Sequence, residues 1–468
     1  MLRTHTCGEL RKENENQEVI LTGWVNSVRK AGKNIMFIDL RDRYGITQVI
    51  ILKELIEKIE FLNDIKNEYI LKIKGKVQVK PKANPNLETG EIELLTSDIE
   101  ILNKCDELPV EVSGELKANE ETRLKYRYLD LRRPEMTNNF IFKHKIVNAI
   151  RNSLDRMNFL DVDTPMLARS TPEGARDFLV PSRIHPGKFY ALPQSPQVYK
   201  QTLMVSGFDR YYQVAKCLRD EDLRGDRQLE FTQIDLEMSF NTKEDIQKTL
   251  ETFISETIKE VMGVEIKTPF SYISYKESMD KYNCDKPDLR QNKEDPKELA
   301  FVWVDNFPLF ELNENSDRIV SAHHPFTQAT NEAWDKIDSC KTKEKYLELM
   351  SESFDLVLNG VELGSGGMRI HKPDKQKKIF SILGLSDKEA KEKFGFLLDA
   401  FRFGAPPHGG FAIGLDRLLM LLKGKTVLKD FIAFPKTKSC FSVMENSPNS
   451  VSEEQLKDVH IKLDIDGK

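Results

Sequence analysis

The first hundred residues alternate short apolar runs with polar turns, which is typical of a small β-rich domain. Runs rich in β-branched and aromatic residues predict five strands, at 18–29, 35–40, 47–52, 69–79 and 91–102. Between the third and fourth runs, Leu, Ile and Phe recur at helical spacing over 53–67, which predicts one helix.

This order of elements is that of a five-stranded OB barrel, whose open face commonly binds single-stranded oligonucleotides. Another small β-barrel without a ligand is the alternative at this point. We therefore interpret residues 1–104 as an OB-fold domain that binds nucleic acid, and the polar stretch 105–135 as a hinge.

From residue 136 onward the pattern changes to alternating helices and strands. A long amphipathic helix is predicted at 140–157, and the remainder reads as one α+β domain, 136–468, with a central antiparallel sheet flanked by helices. No G-x-G-x-x-G follows its first strand, which argues against a doubly wound dinucleotide-binding sheet.

Composition narrows the class of protein. The 468 residues suffice for two or three domains, and 39% hydrophobic with 31% charged residues indicates a globular protein. Its six scattered cysteines form no C-x-x-C pair, so we expect reduced thiols in the cytoplasm. No apolar run is long enough to span a bilayer, so no membrane association is expected. A net charge of -5 gives no general sign of nucleic-acid binding, which must be argued from local sites.

The strongest local signal is the segment 217–237, CLRDEDLRGDRQLEFTQIDLE, in which two strand-like stretches flank a charged loop. Arg219 follows the first strand and Phe231 opens the second. An arginine and an aromatic ring placed this way can grip a phosphate and stack a base. Ion pairing of Arg219 with a loop carboxylate is the alternative.

A second signal is the segment 409–422, GGFAIGLDRLLMLL. Its three glycines allow close approach of a backbone or ligand, and a helix begins near Asp416. Arg417 at that helix start opposes the helix dipole, which favours an anionic partner such as a phosphate. A surface arginine on a buried helix is an equal alternative when this segment is seen alone.

Together these segments resemble motifs 2 and 3 of class II aminoacyl-tRNA synthetases, F/L-R-x-E…F and G-x-G-x-G-x-x-R. The resemblance implies that Arg219 meets the α-phosphate of ATP, that Phe231 packs on adenine and that Arg417 holds the γ-phosphate. Glu221 occupies the acidic position of motif 2. Pro165, after the predicted strand 159–163, matches the proline of motif 1, which implies a homodimer with this residue at the interface.

Further segments are similar to bacterial-type aspartyl-tRNA synthetases over nearly the whole chain: 126–136, 171–183, 188–197, 323–326, 360–371 and 394–410. The resemblance implies that Arg369 and Lys200 hold the substrate carboxylate, which suits a planar fork and a point charge. It also implies a pocket for L-aspartate that includes Glu173, Ser195, Gln197, Asp235, His323 and His324.

Asp355 and Glu362, either side of an Asn-Gly turn, are expected to bind Mg²⁺, which takes few protein carboxylates and completes its shell with phosphate and water. The implied reaction is attack of the aspartate carboxylate on the α-phosphorus of ATP, followed by transfer to a ribose hydroxyl of tRNA. Arg219, Arg417 and Mg²⁺ would neutralise the developing charge, so no protein nucleophile is required.

In the barrel, four residues match family positions that read the anticodon: Arg29, Phe37, Gln48 and Glu93. Phe37 would stack a base, although core packing is the usual place of a phenylalanine in a barrel. The expected partner is tRNA(Asp). Whether tRNA(Asn) is a second partner depends on the loops 29–34 and 82–88.

One departure from the family is the connection 291–300, which has the length of a loop where bacterial-type enzymes usually carry an inserted domain. Three alternatives stand beside this interpretation: a lysine or asparagine enzyme of the same group, a free-standing adenylate-forming paralogue, and a non-enzymatic RNA-binding protein. Arg369 argues against a lysine enzyme, and the N-terminal barrel argues against the free-standing paralogue. A non-enzymatic RNA-binding protein is disfavoured by the presence of Arg219, Arg417, Asp355 and Glu362.

Overall fold

The structure is a computed structural model that describes residues 2–170, 175–313 and 316–465. The chain forms two compact units, Met1–Thr137 and Asn138–Lys468. Each unit has its own hydrophobic core, so they are described separately.

The first unit is built on a closed five-stranded barrel in the order β1-β2-β3-β5-β4. Its strands are β1 (Glu18–Ala31), β2 (Ile35–Arg41), β3 (Ile46–Leu52), β4 (Ile70–Val79) and β5 (Ile92–Asn103). Only β3 and β5 pair in parallel. Alternate residues of each strand point inward, and Leu21, Ile38, Val49 and Ile73 are fully buried in the barrel core. The OB-type fold expected from the pattern is therefore confirmed.

The single helix expected over 53–67 was wrong in its extent. The stretch instead holds α1 (Lys53–Lys58) and a 3-10 helix (Glu60–Asp64), and a further 3-10 helix lies at Lys12–Asn14. Ile59 between the two segments adopts extended dihedral angles, φ -116° and ψ 100°, which ends the first helix. Tertiary packing explains the break, because Leu62 and Ile65 are buried in the barrel core.

The predicted hinge contains two short helices, α2 (Glu120–Lys125) and α3 (Arg127–Asp130). Asn119 caps α2 by accepting a hydrogen bond from the Thr122 amide. Asp130 is fully buried and accepts hydrogen bonds from Arg123 and Arg127, so this stretch carries a paired internal charge and is more ordered than its polar sequence suggests.

The second unit is centred on an eight-stranded sheet in the order β11-β12-β15-β16-β17-β10-β9-β6. Its strands are β6 (Leu160–Asp161), β9 (Arg210–Leu218), β10 (Glu230–Ser239), β11 (Ser271–Ser274), β12 (Phe301–Asp305), β15 (Ser353–Leu358), β16 (Val361–Met368) and β17 (His408–Gly414). Two separate two-stranded sheets are formed by β7 (Leu179–Pro181) with β8 (Phe189–Ala191), and by β13 (Phe310–Asn313) with β14 (Ser316–Ser321).

The expected antiparallel pairing holds for the six central strands, whereas the edge strands β11 and β6 pair in parallel, so the sheet is mixed. The helices are α4 (Pro134–Arg156), α5 (Gln197–Val205), α6 (Lys243–Met262), α7 (Tyr275–Tyr282), α8 (Asn331–Ile337), α9 (Lys343–Leu347), α10 (Pro373–Ile382), α11 (Asp387–Phe401), α12 (Leu415–Leu422) and α13 (Glu453–Asp458), with a 3-10 helix at Leu428–Phe431. In the described part of the chain, no helix is long and apolar enough to cross a membrane.

The connection between α7 and β12 is short and packs closely on the second unit. A Cβ added at Gly424 would lie 2.8 Å from Cβ of Pro296, and one added at Gly360 would lie 3.2 Å from Cβ of Asp288. Arg290 donates to Asp288, and Glu298 accepts backbone hydrogen bonds at the far end. These contacts tie the connection to the rest of the unit, and we call it the tied loop.

Candidate active site

A cavity of about 220 Å³ lies where the β9–β10 hairpin meets β16, β17 and the start of α12. We call it the hairpin cavity. Its lining combines charged side chains with glycine-rich strand backbone: Arg219, Glu221, Asp226, Arg227, Gln228, Phe231, Thr232, Gln233, Glu362, Leu363, Gly364, Ser365, Ala412, Gly414, Asp416, Arg417 and Leu428. The two segments singled out in the sequence are thus walls of one cavity.

Arg219 and Phe231 face each other across the hairpin. The guanidinium carbon of Arg219 lies 5.2 Å from the centroid of the Phe231 ring, a cation–π arrangement. Within the described residues Arg219 has no carboxylate partner, which removes the alternative of a structural ion pair; Glu221 pairs instead with Arg227 at 3.2 Å. A cation stacked on an aromatic ring at a cavity wall suits a nucleotide, with its base on the ring and its phosphate on the arginine.

Arg417 reaches the same cavity from the first turn of α12. It donates to the backbone oxygen of Glu362 at 2.5 Å and to Asp226 of the hairpin loop at 3.2 Å. Its neighbour Asp416 is buried and anchors the helix start, because it accepts hydrogen bonds from the Thr232 amide (2.9 Å) and from Lys143 (2.5 Å). Asp416 therefore has a structural role, and Arg417 presents the cation.

Further along β10 lies a buried set of four charges, the charged quartet: Lys200, Asp235, Glu237 and Arg369. Lys200 is 2.5 Å from Asp235 and 3.1 Å from Glu237. Arg369 donates to both oxygens of Glu237, at 3.0 and 3.4 Å. Two cations and two anions give a net charge of zero, so each charge in this buried group has a partner.

The quartet depends on a glycine in the next strand. Gly410 of β17 stands opposite Glu237 in the sheet, and a Cβ there would lie 1.9 Å from a carboxylate oxygen of Glu237. The Gly410 carbonyl also accepts a hydrogen bond from Arg369 at 3.3 Å. The sequence predicts that the glycines of this segment allow close approach. In the structure, the lack of a side chain at Gly410 leaves space for the charged quartet as well as for the neighbouring backbone.

Burial and pairing move the pKa values of the two acids in opposite directions. Burial raises the pKa of Asp235 above its ordinary value, although Lys200 opposes that shift. Burial also acts to raise the pKa of Glu237, but the charges of Arg369 and Lys200 outweigh it and lower that pKa. Oδ2 of Asp235 is buried and receives no hydrogen bond from the described residues. A buried acceptor without a donor is costly, so this oxygen is suited to a donor group on a ligand.

Gln197 and Lys200 lie one turn apart on α5. Gln197 donates its side-chain amide to Gln201 at 3.0 Å, and its backbone amide donates to the hydroxyl of Ser195 at 3.3 Å. Glu173, the remaining acid expected in this pocket, lies outside the described residues.

The two adjacent histidines have different environments. Nε2 of His323 is 3.1 Å from Asp355; burial acts to lower the pKa of His323, but the Asp355 carboxylate raises it above the ordinary value overall. His324 packs against Phe326, with ring centroids 4.9 Å apart, and its Nδ1 accepts the Phe326 amide. His323 therefore contacts a predicted metal-site residue directly.

Asp355 and Glu362 occupy the two strands of a hairpin whose turn is Asn359-Gly360, both with positive φ. Burial and the nearby charge of Asp355 raise the pKa of Glu362, although the charges of Arg417 and His323 oppose the shift. Mg²⁺ would relieve this repulsion, so the pair fits the ion. Within the described residues no group of three or more side chains could hold a metal alone, so phosphate oxygens and water would supply the other positions.

The four anticodon candidates lie on one face of the barrel. Arg29 donates to Asp39 at 3.0 Å and its guanidinium lies 6.0 Å from the Phe37 ring. Gln48 donates to Glu93 at 3.0 Å. Phe37 is half-buried and does not belong to the barrel core, so the core-packing alternative does not hold for it.

Sequence reasoning missed three buried polar residues that support this site: Glu237, Gln201 and His408. Glu237 could have been found, because it follows Asp235 by two residues and therefore shares its face of β10. Gln201 and His408 are 207 positions apart and meet only in the folded chain, so no local signal marks them as partners.

Comparison with known proteins agrees with this geometry. Residues 119–438 match the family described as tRNA synthetases class II (D, K and N), and residues 19–102 match the OB-fold nucleic acid binding domain. The chain belongs to the class II tRNA synthetases of the D, K and N group.

Among curated relatives, the aspartate–tRNA(Asp/Asn) ligase of Thermoanaerobacter pseudethanolicus is 39% identical, over 99% of this chain and 98% of its own length. The aspartate–tRNA ligase of Listeria welshimeri is also 39% identical, over 98% of each. The first alignment spans 589 positions against 468 residues here, so that relative carries residues without a counterpart in this chain.

Two solved structures share the fold at lower identity. The asparaginyl-tRNA synthetase of Pyrococcus horikoshii, complexed with asparaginyl-adenylate, is 21% identical with a TM-score of 0.73 and covers 93% of this chain and 99% of that one. The aspartyl-tRNA synthetase of Entamoeba histolytica is 21% identical with a TM-score of 0.68 and covers 91% and 90%.

Proposed function

We propose that this protein is an aspartate–tRNA ligase, which activates L-aspartate with ATP and transfers it to the 3′ end of tRNA(Asp). The observation that carries the proposal is the buried placement of Arg369 and Lys200 beside the hairpin cavity. Two buried cations suit a substrate with an acidic side chain, and the bare oxygen of Asp235 suits its ammonium group. The names of the whole-chain relatives support the same substrate.

The hairpin cavity would hold ATP. Phe231 offers a ring for adenine, Arg219 lies beside it for the α-phosphate, and Arg417 lies at the α12 end for the γ-phosphate. Asp235 of β10 pairs in the sheet with Ala412, which lines the cavity, so the same strands connect the nucleotide and amino-acid regions.

The chemistry in this arrangement is positional and electrostatic. The α-carboxylate of aspartate attacks the α-phosphorus, a bond to the pyrophosphate oxygen breaks, and Arg219 and Arg417 offset the charge that develops. A ribose hydroxyl of the tRNA terminal adenosine then attacks the adenylate carbonyl, and AMP leaves. Mg²⁺ held by Asp355 and Glu362 would add charge neutralisation and orient the phosphates.

The tRNA would be recognised through the barrel face that carries Arg29, Phe37, Gln48 and Glu93, with Phe37 stacking an unpaired base. We propose tRNA(Asn) as a second acceptor to be tested, because one of the curated relatives is named for both tRNAs. We also propose that the protein acts as a cytoplasmic homodimer through the segment that follows α4 and contains Pro165. We also propose that the inserted domain usual in bacterial-type enzymes is missing after residues 285–290.

A pocket for asparagine is the second candidate, because an asparaginyl enzyme shares the fold at a TM-score of 0.73. An identity of 21% supports a shared fold and nothing more. The side chain of an asparagine substrate is an uncharged amide, which gives no reason for both Arg369 and Lys200 to be buried at the pocket.

The test is exchange of labelled pyrophosphate into ATP with aspartate, asparagine or lysine as the amino acid. We expect exchange with aspartate only, followed by charging of tRNA(Asp) in a second assay, with tRNA(Asn) run in parallel. Exchange that prefers asparagine or lysine would overturn the assignment of the substrate.

A further inference from the structure

A chain of buried hydrogen bonds runs from the start of β17 to the first turn of α5. Nδ1 of His408 lies 2.8 Å from the backbone oxygen of Pro406, and Nε2 of His408 lies 3.2 Å from Nε2 of Gln201. Oε1 of Gln201 then accepts from Nε2 of Gln197 at 3.0 Å. We call this set of four groups the amide relay.

The backbone oxygen of Pro406 sets the direction of every bond in the amide relay. A carbonyl oxygen can only accept, so Nδ1 of His408 carries the proton and Nε2 of a neutral ring must accept. Gln201 can satisfy that acceptor only with its NH₂ group, which turns its carbonyl toward Gln197. Gln197 must then offer NH₂ to Gln201, and its own carbonyl oxygen is left for another donor.

Burial makes this direction hard to reverse. His408 and Gln201 are fully buried, and Gln197 is 8% exposed, so water has little access to compensate for a flipped amide. Burial lowers the pKa of His408 overall; the charge of Glu237 and the hydrogen bond to the Pro406 oxygen oppose this shift, and the charges of Arg369 and His371 add to it. The ring therefore stays neutral near pH 7, as the acceptor role of Nε2 requires.

The amide relay ends at the amino-acid pocket. Gln197 precedes Lys200 by three residues on α5, so the two side chains share a face of the helix, and Lys200 is bonded to Asp235. Oε1 of Gln197 receives no hydrogen bond from the described residues. At its other end, the backbone oxygen of His408 accepts the Arg369 amide at 2.9 Å, which ties the main chain of His408 to that of Arg369.

We propose that His408 is a positioning residue, which acts through Gln201 to hold Gln197 with its carbonyl oxygen toward the ammonium group of the amino-acid substrate. A flipped Gln197 would present NH₂ to an ammonium, which repels it. This proposal rests on the proposed function, because it takes the pocket to be the site of a free amino acid.

The test uses the full chain and measures aspartate-dependent pyrophosphate exchange against both aspartate and ATP. His408→Phe and Gln201→Met keep the side-chain volume similar and interrupt the amide relay. Each should raise KM for aspartate about tenfold, the loss expected for one hydrogen bond to a charged group, and leave KM for ATP and kcat within about twofold. His408→Gln restores an acceptor and should recover most of the aspartate affinity.

The deciding measurement combines each variant with Gln197→Ala. If His408 acts through Gln197, His408→Phe should not raise KM for aspartate further in a chain that already carries Gln197→Ala. If His408 only packs, the increases in KM caused by the two substitutions should multiply. If His408→Phe fails to fold, as judged by loss of ATP binding, the Gln201→Met variant tests the proposal by itself. Unchanged KM for aspartate, equal rises for ATP, or multiplying effects overturn the proposal. Absence of exchange in the unmodified chain overturns the proposed function and this proposal with it.

Discussion

Substitution of Arg369 is the most direct test of how the pocket selects an acidic substrate. Arg369 is 6% exposed and its guanidinium donates to both oxygens of Glu237, within a charged quartet whose net charge is zero. Arg369→Leu would leave one cation against two anions. The pocket would then repel a substrate whose own net charge is negative.

The size of the effect follows from the buried charge pair that Arg369 would form with the substrate carboxylate. Removal of one partner of a buried, hydrogen-bonded charge pair costs about 2–5 kcal/mol of binding free energy. At 1.36 kcal/mol for each factor of ten, kcat/KM for aspartate should fall by roughly 30- to 5,000-fold. Arg369→Lys keeps the charge but loses the planar fork, so a smaller loss of about 10- to 100-fold is expected.

Aspartate-dependent pyrophosphate exchange over a range of aspartate concentrations measures these losses. Arg369 does not line the hairpin cavity, so ATP binding by both variants should match the unmodified chain and serves as the control for folding. Near-normal exchange by Arg369→Leu would refute the assignment of this arginine, and of aspartate as the substrate. Equal losses for Arg369→Lys and Arg369→Leu would refute the argument from fork geometry.

Three further predictions concern the barrel, the metal and pH. Phe37→Ala should lower tRNA charging by about 5- to 150-fold, the cost of one stacked base, and leave tRNA-independent exchange intact; equal loss of both activities contradicts the anticodon argument. Asp355→Asn should raise the Mg²⁺ concentration needed for half-maximal exchange, and an unchanged requirement argues against this ligand. Arg369 and Lys200 lower the pKa of Glu237 in the folded chain, so the ionised carboxylate stabilises the fold. This stabilisation is fully present above the pKa of an unfolded glutamate, about 4.3. It is lost as the pH falls through the lower pKa that Glu237 has in the folded chain. The stability gap between the unmodified chain and Glu237→Gln in denaturant unfolding should therefore shrink on acidification below about pH 4.3, and a constant gap would contradict it.

The features that the sequence predicts well are those set by neighbouring residues. Arg219 and Phe231 stand on one hairpin, so their spacing alone places them across a turn from each other. The barrel strands were predicted because alternate burial leaves a period of two in the sequence. Local patterns carry this information because the geometry of a strand or turn is fixed within a few residues.

Features that depend on distant residues were predicted only in part. Arg369 was assigned to the substrate, but its bond to Glu237 joins residues 132 positions apart and has no local signal. The break in the helix at Ile59 depends in the same way on burial of the following residues in the barrel core. Tertiary packing decided each of these outcomes over local propensity.

The tied loop between α7 and β12 has a consequence for how the sheet assembles. The parallel strands β11 and β12 are separated only by residues 275–300, so their pairing closes a comparatively small loop of chain. Each doubling of such a loop adds about 0.6 kcal/mol of closure entropy, and non-local pairings slow folding. A relative with a long flexible insertion between these strands would have to bring them together over a greater distance. In this chain both strands of that edge lie in one contiguous stretch, 271–305, which precedes β15, β16 and β17 in the sequence.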